Sequence, residues 1–343
     1  MKKFYSSFVY CLLLLMCWHN VNAQDLTFSQ FYEQPLLRNP ALAGVFTGDL
    51  RVSTVYRDQW ASVTVPFRTE AMSIEYKMPM QGSNDVLTLG SQMTLDQAGD
   101  IQLKRTQFLP VVNYSKSLSD DKDTYLSIAF MGGPVYSQFD PTLIKTGDQY
   151  QGGSYNPSNP TSQIFANTGY NYWDLATGIS FSSSYGDAGR FYIGAGLAHF
   201  NKPVIHSVTG TVENFLYPKI TFNMGVNTPV TDRNRIIAFA DYFTQNGYRQ
   251  LLGGILYGFD FQKFYNDDPY TIYFGSFLRW GDAFVPVVKM DFKHMSVGLS
   301  YDVNVSKLKT VSNYRGGFEL TASYHGFLKV RNSTLDKLRC TRF

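Results

Sequence analysis

The sequence predicts an all-β fold, a transmembrane antiparallel β-barrel of about fourteen strands with an N-terminal plug segment. Three features point to it: an export leader with no comparably apolar run after it, a long succession of alternating segments from about Leu50 to His325, and long connections confined to one end. Composition narrows the classes first. Only 17% of the 343 residues are charged, where about a quarter is usual in soluble domains, and the mean hydropathy of -0.18 fits neither a disordered chain nor a helical membrane bundle. Without Lys2 and Lys3 of the leader, 28 basic side chains face 27 acidic ones. Such a balance offers no general field for phosphate, so nucleic acid is not expected as a partner.

The leader comes first in chain order. Met1-Lys2-Lys3 gives a positive start, Phe8 to Trp18 an apolar stretch, and Val21-Asn22-Ala23 a small-residue cleavage site before Gln24. Residues 1–23 therefore read as a signal peptide. The apolar stretch is shorter than the roughly 20 residues a spanning helix needs. Acylation at Cys17 is disfavoured by Met16, which stands where a small residue is required. Cleavage after Ala23 leaves Cys340 as the single cysteine, so no intrachain disulfide is expected.

Residues 24–48 lack alternation and hold Pro35 and Pro40, which could not donate in a β-ladder. They are assigned as an N-terminal plug or hatch. From 49 to 325 the strand period takes over. Candidate strands fall near 50–58, 67–77, 86–95, 106–117, 123–137, 173–184, 190–200, 218–229, 233–243, 249–262, 269–280, 284–292, 294–304 and 315–325. In the thirteenth, Met295, Val297, Leu299, Tyr301 and Val303 interleave with Ser296, Gly298, Ser300, Asp302 and Asn304. An open sheet of that width would leave two edges for aggregation, and closure removes them. A soluble sandwich would carry more charge on its outer faces than the strands near 190–200, 249–262 and 269–280 do. If the first strand rises from the periplasm, the long connections 138–172 and 201–217 both fall on the outer side, where outer-membrane barrels keep their long loops. Tyr56, Tyr76, Tyr125, Tyr242, Tyr257 and Trp280 are candidates for the interfacial aromatic girdles. The last segment, 326–343, holds Lys329, Arg331, Lys337, Arg339 and Arg342 and reads as a basic periplasmic tail.

The small or polar strand faces carry Arg51, Arg57, Glu75, Lys77, Asp241, Arg279, Lys289, Asp291, Asp302 and Glu319. Charges beside low-dielectric walls are costly unless paired, so these groups are expected to form ion pairs that hold the plug. Closure of the last strand on the first predicts Glu319 near Arg51 or Arg57. No HExxH, CxxC or GxSxG motif is present. The protein is therefore expected to be no enzyme and to carry no metal or cofactor. Gly194-Ala195-Gly196 reads as close backbone packing, and the Ser323/His325 pair as lumen polarity in preference to a hydrolase dyad.

Four motifs carry a family resemblance. Phe28-Ser29-Gln30-Phe31-Tyr32 with Pro35-Leu36 and Asn39-Pro40-Ala41-Leu42-Ala43-Gly44 comes first, then Tyr56-Arg57-Asp58-Gln59-Trp60. Near the far end lie Gly298 to Leu308 with Gly316-Gly317-Phe318-Glu319-Leu320, and last Cys340-Thr341-Arg342-Phe343. Together they resemble the PorP/SprF family, with Glu33-Gln34 and Thr341 as departures. The resemblance implies an outer-membrane component of the type IX secretion system that supports export or surface attachment of large adhesins, in some members with gliding motility. It implies partners and no catalysis: a secreted adhesin or its C-terminal domain, other secretion components including periplasmic ring proteins, and outer-membrane lipid. The competing reading is an outer-membrane channel or hydrophobic-solute transporter of the fatty-acid-transporter type.

Roles follow for the candidate site residues. Asn39-Pro40 starts a turn and Gly44 permits positive φ, so the plug can fold compactly. Arg51, Arg57 and Glu319 are expected to hold it through charge. Trp60 stands at the outer end of the first strand, and Asp302 and Asn304 are expected to hydrogen-bond the plug. Cys340, Arg342 and Phe343 mark the tail. Loop 138–172, with Tyr150, Tyr155, Tyr170 and Tyr172, suits either a recognition surface or an ordered lid.

Overall fold

The computed structural model describes residues 25–61, 65–119, 123–163, 165, 167–186, 188–206, 213–261, 270–307 and 309–327. Fourteen antiparallel strands close into one barrel. They are β1 (Leu50–Gln59), β2 (Phe67–Pro79), β3 (Val86–Ala98), β4 (Leu103–Ser119), β5 (Thr124–Gln138), β6 (Gly169–Tyr185) and β7 (Gly189–Ala198), followed by β8 (Lys219–Thr231), β9 (Asn234–Gln245), β10 (Tyr248–Phe261), β11 (Tyr270–Arg279), β12 (Ala283–Phe292), β13 (Met295–Asn304) and β14 (Arg315–Gly326). Each pairs with its neighbours in sequence, and β14 closes on β1 with Arg57 opposite Glu319. No helix among the described residues is long and apolar enough to cross a membrane; the crossing is made by strands.

Period-two alternation decides which side of the wall each residue faces. Along β5, Leu126, Ile128 and Phe130 are exposed on the outside while Ser127, Ala129 and Met131 are buried. The same reading along β13 puts Met295, Val297, Leu299 and Tyr301 outside and Ser300 and Asp302 inside. A continuous outer surface of exposed aliphatic and aromatic residues is what acyl chains solvate well.

Two expectations about facing need correction. Tyr125 is turned inward and buried, because the parity that exposes Leu126 leaves it no place in an outer girdle. The inner face is also not uniformly modest. In β9–β12, Phe239, Leu252, Leu256, Phe277, Val285 and Val287 point inward and form one apolar cluster with Phe31, Tyr32 and Leu42.

At one end lie the short connections 80–85, 186–188, 232–233 and 293–294; at the other the two longest, 139–168 and 199–218, lie beside the shorter 60–66, 99–102, 246–247, 280–282 and 305–314. The short-turn end is the periplasmic one in barrels of this kind. Loop 139–168 contains two single 3-10 turns and a small hairpin, Tyr150–Gln151 against Ser154–Tyr155. A second small hairpin pairs Val204–His206 with Glu213–Phe215.

Residues 25–49 lie inside the barrel, since their partners come from strands all round it. Asp25 meets Lys219 at the outer end of β8. The Thr27 carbonyl accepts from Arg57 near the outer end of β1. At the other end Lys77 donates to the Phe46 carbonyl at 2.7 Å, and the Asp49 N–H bonds Gly326 O at 2.8 Å. The segment thus runs from the outer opening to the periplasmic one before β1 turns back up.

Candidate functional site

Between its ends the segment forms a 3-10 turn (Phe31–Glu33), one helical turn (Pro35–Arg38) and a second 3-10 turn (Pro40–Leu42). Proline opens two of these, where its missing N–H costs nothing. Between them Asn39 is extended, and its Oδ1 caps the next turn by accepting from the Ala41 N–H at 2.9 Å. Gly44 leaves the last turn with φ near 80°. Turns so short leave most backbone groups without an internal partner, and the lumen must supply one.

Wall side chains supply them. Asn113 and Ser180 donate to the Ala43 and Ala41 carbonyls at 2.6 and 2.7 Å. Glu75 accepts the Gly44 N–H at 2.9 Å while its other oxygen takes two donors from Arg51. The carboxylate of Glu319 receives the consecutive N–H groups of Ser29 and Gln30. Beside it, Asp302 accepts from Arg57 at 2.9 Å, Arg279 at 2.7 Å and the Ser29 hydroxyl, and Arg57 Nε lies 3.3 Å from Glu319. Two guanidinium groups and two carboxylates balance within the buried cluster, and the partly exposed Asp282 meets Arg279 from its outer side; such pairing is how buried charge is tolerated.

Three further charged groups of the segment, Arg38, Glu33 and Asp25, tie it down. Arg38 binds Asp241 through two bonds of 2.6 Å and donates to the Tyr192 hydroxyl at 2.9 Å. Lys289 meets Glu33 at 2.7 Å. Near the outer opening Asp25 lies among Lys219 (3.1 Å), Arg105 (3.4 Å) and His199 (3.5 Å). Burial works against the charged carboxylate, yet Lys219 and then His199 hold Asp25 well below the usual carboxylate range. His199 sits past the end of β7 and bonds Asp174 at 2.7 Å. Burial would lower its pKa, but bonds to Asp174 and Asp25 raise it to about 9.

Backbone shape matters as much as charge. Asn39 Nδ2 donates to the Ile179 carbonyl at 3.0 Å and to Asn223 at 3.2 Å. It fits because the wall there is glycine: a Cβ on Gly178 would stand 1.9 Å from Asn39 Oδ1, and one on Gly194 would stand 2.7 Å from Asn39 Nδ2. Gly298 makes the same room for Gln30, whose Oε1 would lie 2.3 Å from a Cβ. Opposite this polar seat the rings stack. Tyr32 lies parallel to Phe239 at 4.8 Å and near Phe277 at 5.2 Å, and Phe31 meets Phe277 edge-on at 5.6 Å.

Of the site residues read from sequence, the structure brings Asn39, Pro40, Gly44, Arg51, Arg57, Asp302 and Glu319 together around the segment. Two do not belong there. Trp60 lies beyond β1 with positive φ, and its N–H bonds Gly316 O at 3.0 Å; its position at the strand end keeps it from the segment. Asn304 faces inward but bonds Ser312 and the Arg315 carbonyl, bracing the connection between β13 and β14. Cys340, Arg342 and Phe343, like the leader, lie outside the described residues. Ser323 and His325 both face the interior, and His325 packs on Phe46, so neither belongs to the lipid face. Sequence reading missed Arg38, the Ser29–Gln30 backbone clasp and Asp25 with His199. A lone arginine inside an otherwise apolar Pro-rich stretch was the available sign for Arg38. No sequence sign marks a backbone clasp.

Among solved structures the fold is similar to the CymD monoaromatic hydrocarbon channel (TM-score 0.44, 10% identity, covering 86% of this chain and 93% of that one). It is also similar to a Pseudomonas aeruginosa FadL homologue (TM-score 0.41, 10% identity, 83% and 92%). The translocator domain of autotransporter NalP from Neisseria meningitidis is another such barrel (TM-score 0.40, 11% identity, 87% and 96%). No match is found among curated proteins. The family described as type IX secretion system membrane protein PorP/SprF matches residues 20–324. This outer-membrane barrel therefore belongs to the PorP/SprF family of type IX secretion system membrane proteins.

Proposed function

We propose that the chain works as a plugged barrel, in which residues 24–48 close the lumen and the protein serves secretion by binding other proteins. In this reading it supports export or cell-surface attachment of a large adhesin, which it engages through the outer loops, while the basic tail 326–343 contacts periplasmic ring components or anionic lipid. The observation that carries it is the buried ion cluster of Arg57, Arg279, Asp302 and Glu319 around Ser29 and Gln30. A segment held by so many buried charge-assisted bonds is costly to move, which suits a scaffold more than a diffusion pore.

Single-channel recording in a planar bilayer tests the closed lumen. The expected outcome is no steady conductance from the intact protein, together with surface proteins that copurify from the native outer membrane. A large steady conductance would favour the alternative, an outer-membrane channel or hydrophobic-solute transporter. Pulldown with and without residues 326–343 tests the tail: truncation is expected to leave the barrel folded and remove periplasmic partners.

A further inference from the structure

The pairing of β13, β14, β1, β2 and β3 brings five polar residues of the inner face into one row. Ser296 stands opposite Ser323, Ser323 opposite Ser53, Ser53 opposite Ser73, and Ser73 opposite Gln92. Because strands tilt in a barrel, a row drawn across them climbs the wall. This one rises from Ser296, at the short-turn end of β13, to Gln92, midway along β3. Its lower end meets a cavity of about 400 Å³ at the periplasmic end, which Ser296 lines together with Lys293 and His294 of the β12–β13 turn. At its upper end the row stops on β4, where Leu109 stands opposite Gln92.

The polar atoms of this row are buried without partners. Ser323, Ser53 and Ser73 are at most 5% exposed, and none of their hydroxyls has a hydrogen-bond partner among the described residues. Gln92 Nε2 donates to Gln34 Oε1 of the N-terminal segment at 3.2 Å, but Gln92 Oε1 and Gln34 Nε2 are themselves buried and unpartnered. Facing serines can bond directly, as Ser115 and Ser127 do across β4 and β5 at 2.8 Å; those of the row do not. Each such atom is costly in a dry interior. A line of bridging water satisfies them all, since a buried water makes about three hydrogen bonds, and serine is small enough to leave it room. We propose that the row binds a file of ordered water that enters from the periplasmic cavity, links the three serine hydroxyls and ends on Gln92 and Gln34. The N-terminal segment is then joined to this part of the wall through solvent, between the Glu319 clasp and the Glu75 bond to Gly44. The inference is independent of the proposed role in secretion.

The test uses the full-length protein. A crystal structure that resolves ordered solvent is expected to show water within hydrogen-bond distance of the Ser323, Ser53 and Ser73 hydroxyls and continuing to Gln92. Urea unfolding in lipid supplies an independent measure, with heat-modifiable migration as the check that each variant folds. Ser53→Ala and Ser73→Ala should each lower the folded-to-unfolded ratio about fivefold, the size of one hydrogen bond. The double variant should lose less than the product of the two factors, since both hydroxyls bind the same water. A dry hydroxyl behaves in the opposite way, because its replacement by Ala removes a desolvation penalty. Ala variants as stable as the parent or more so, serine hydroxyls bonded directly to one another, or a row without solvent density would each overturn the proposal.

Discussion

The two sides of the buried N-terminal segment are held by different physics. Toward β1, β13 and β14 its backbone N–H groups are clasped by Glu319, and Arg57, Arg279 and Asp302 complete a buried network. Toward β9–β12 the same segment presents Phe31, Tyr32 and Leu42 to Phe239, Phe277, Leu252 and Leu256. The ionic side gains little net free energy over an apolar replacement, because desolvation offsets most of the attraction, but it is very sensitive to loss of one partner. The aromatic side contributes net burial and tolerates change in proportion to the atoms removed. Register is therefore expected to come from the charges and the bulk of the holding energy from the rings.

Breaking the charged side should show the largest effect. Glu319→Ala leaves the Ser29 and Gln30 N–H groups without their buried acceptor and two guanidinium groups against Asp302 alone in the buried cluster, a loss of about 3–5 kcal/mol. Urea unfolding in lipid should show that drop, and protease should reach residues 25–48 in otherwise intact barrels. If the folded variant keeps the segment protected, the charges do not set its position.

The aromatic side is probed by Tyr32→Ala, with an expected cost of about 3 kcal/mol. Here the unfolding midpoint should fall while the segment, still clasped by Glu319, keeps its protection. Smaller again is Gly178→Ala, whose methyl would collide with Asn39; about 1–3 kcal/mol is expected. Combining it with Asn39→Ala should cost less than the sum of the two single changes, since the double variant removes the collision.

A pH titration sharpens the comparison at the outer opening. Burial opposes the charge on His199, but Asp174 and Asp25 raise its folded pKa to about 9. A raised pKa contributes stability that is fully present below the unfolded value near 6.5 and lost as pH rises through about 9. The effect is on the order of 3 kcal/mol at most. Asp25, held low by Lys219 and His199 against its burial, works in the opposite direction. Its contribution is present above about 4 and lost as pH falls. Melting of the His199→Gln variant should be flat between pH 7 and 10 where the parent declines. The smallest effect belongs to Arg68→Ala, whose half-exposed pair with Asp58 at 3.2 Å should be worth less than about 1 kcal/mol by thermal melting.

Much of the fold was legible from alternation, because a strand period of two assigns each residue to a face without any tertiary information. That logic located all fourteen strands and put Arg51, Arg57, Glu75, Asp302 and Glu319 on the inner face. It failed where the inner face is apolar. In β9–β12 large residues occur at both parities, since the wall there packs against rings of the N-terminal segment, and periodicity cannot tell a ring facing lipid from a ring facing Tyr32. It also placed Tyr125 outside and joined Trp60 and Asn304 to the N-terminal segment, because position near a strand end says nothing about what lies beside it.

By itself, then, the sequence determined that this chain alternates and carries charges of both signs on one face, since those properties depend only on neighbours along the chain. Only the tertiary structure decided which charges meet, that three glycines from β6, β7 and β13 make room for Asn39 and Gln30, and that a segment of three short turns runs through the lumen. Those outcomes depend on closure of the barrel, which brings together residues nearly 300 positions apart such as Ser29 and Glu319, and no local pattern encodes a contact of that range.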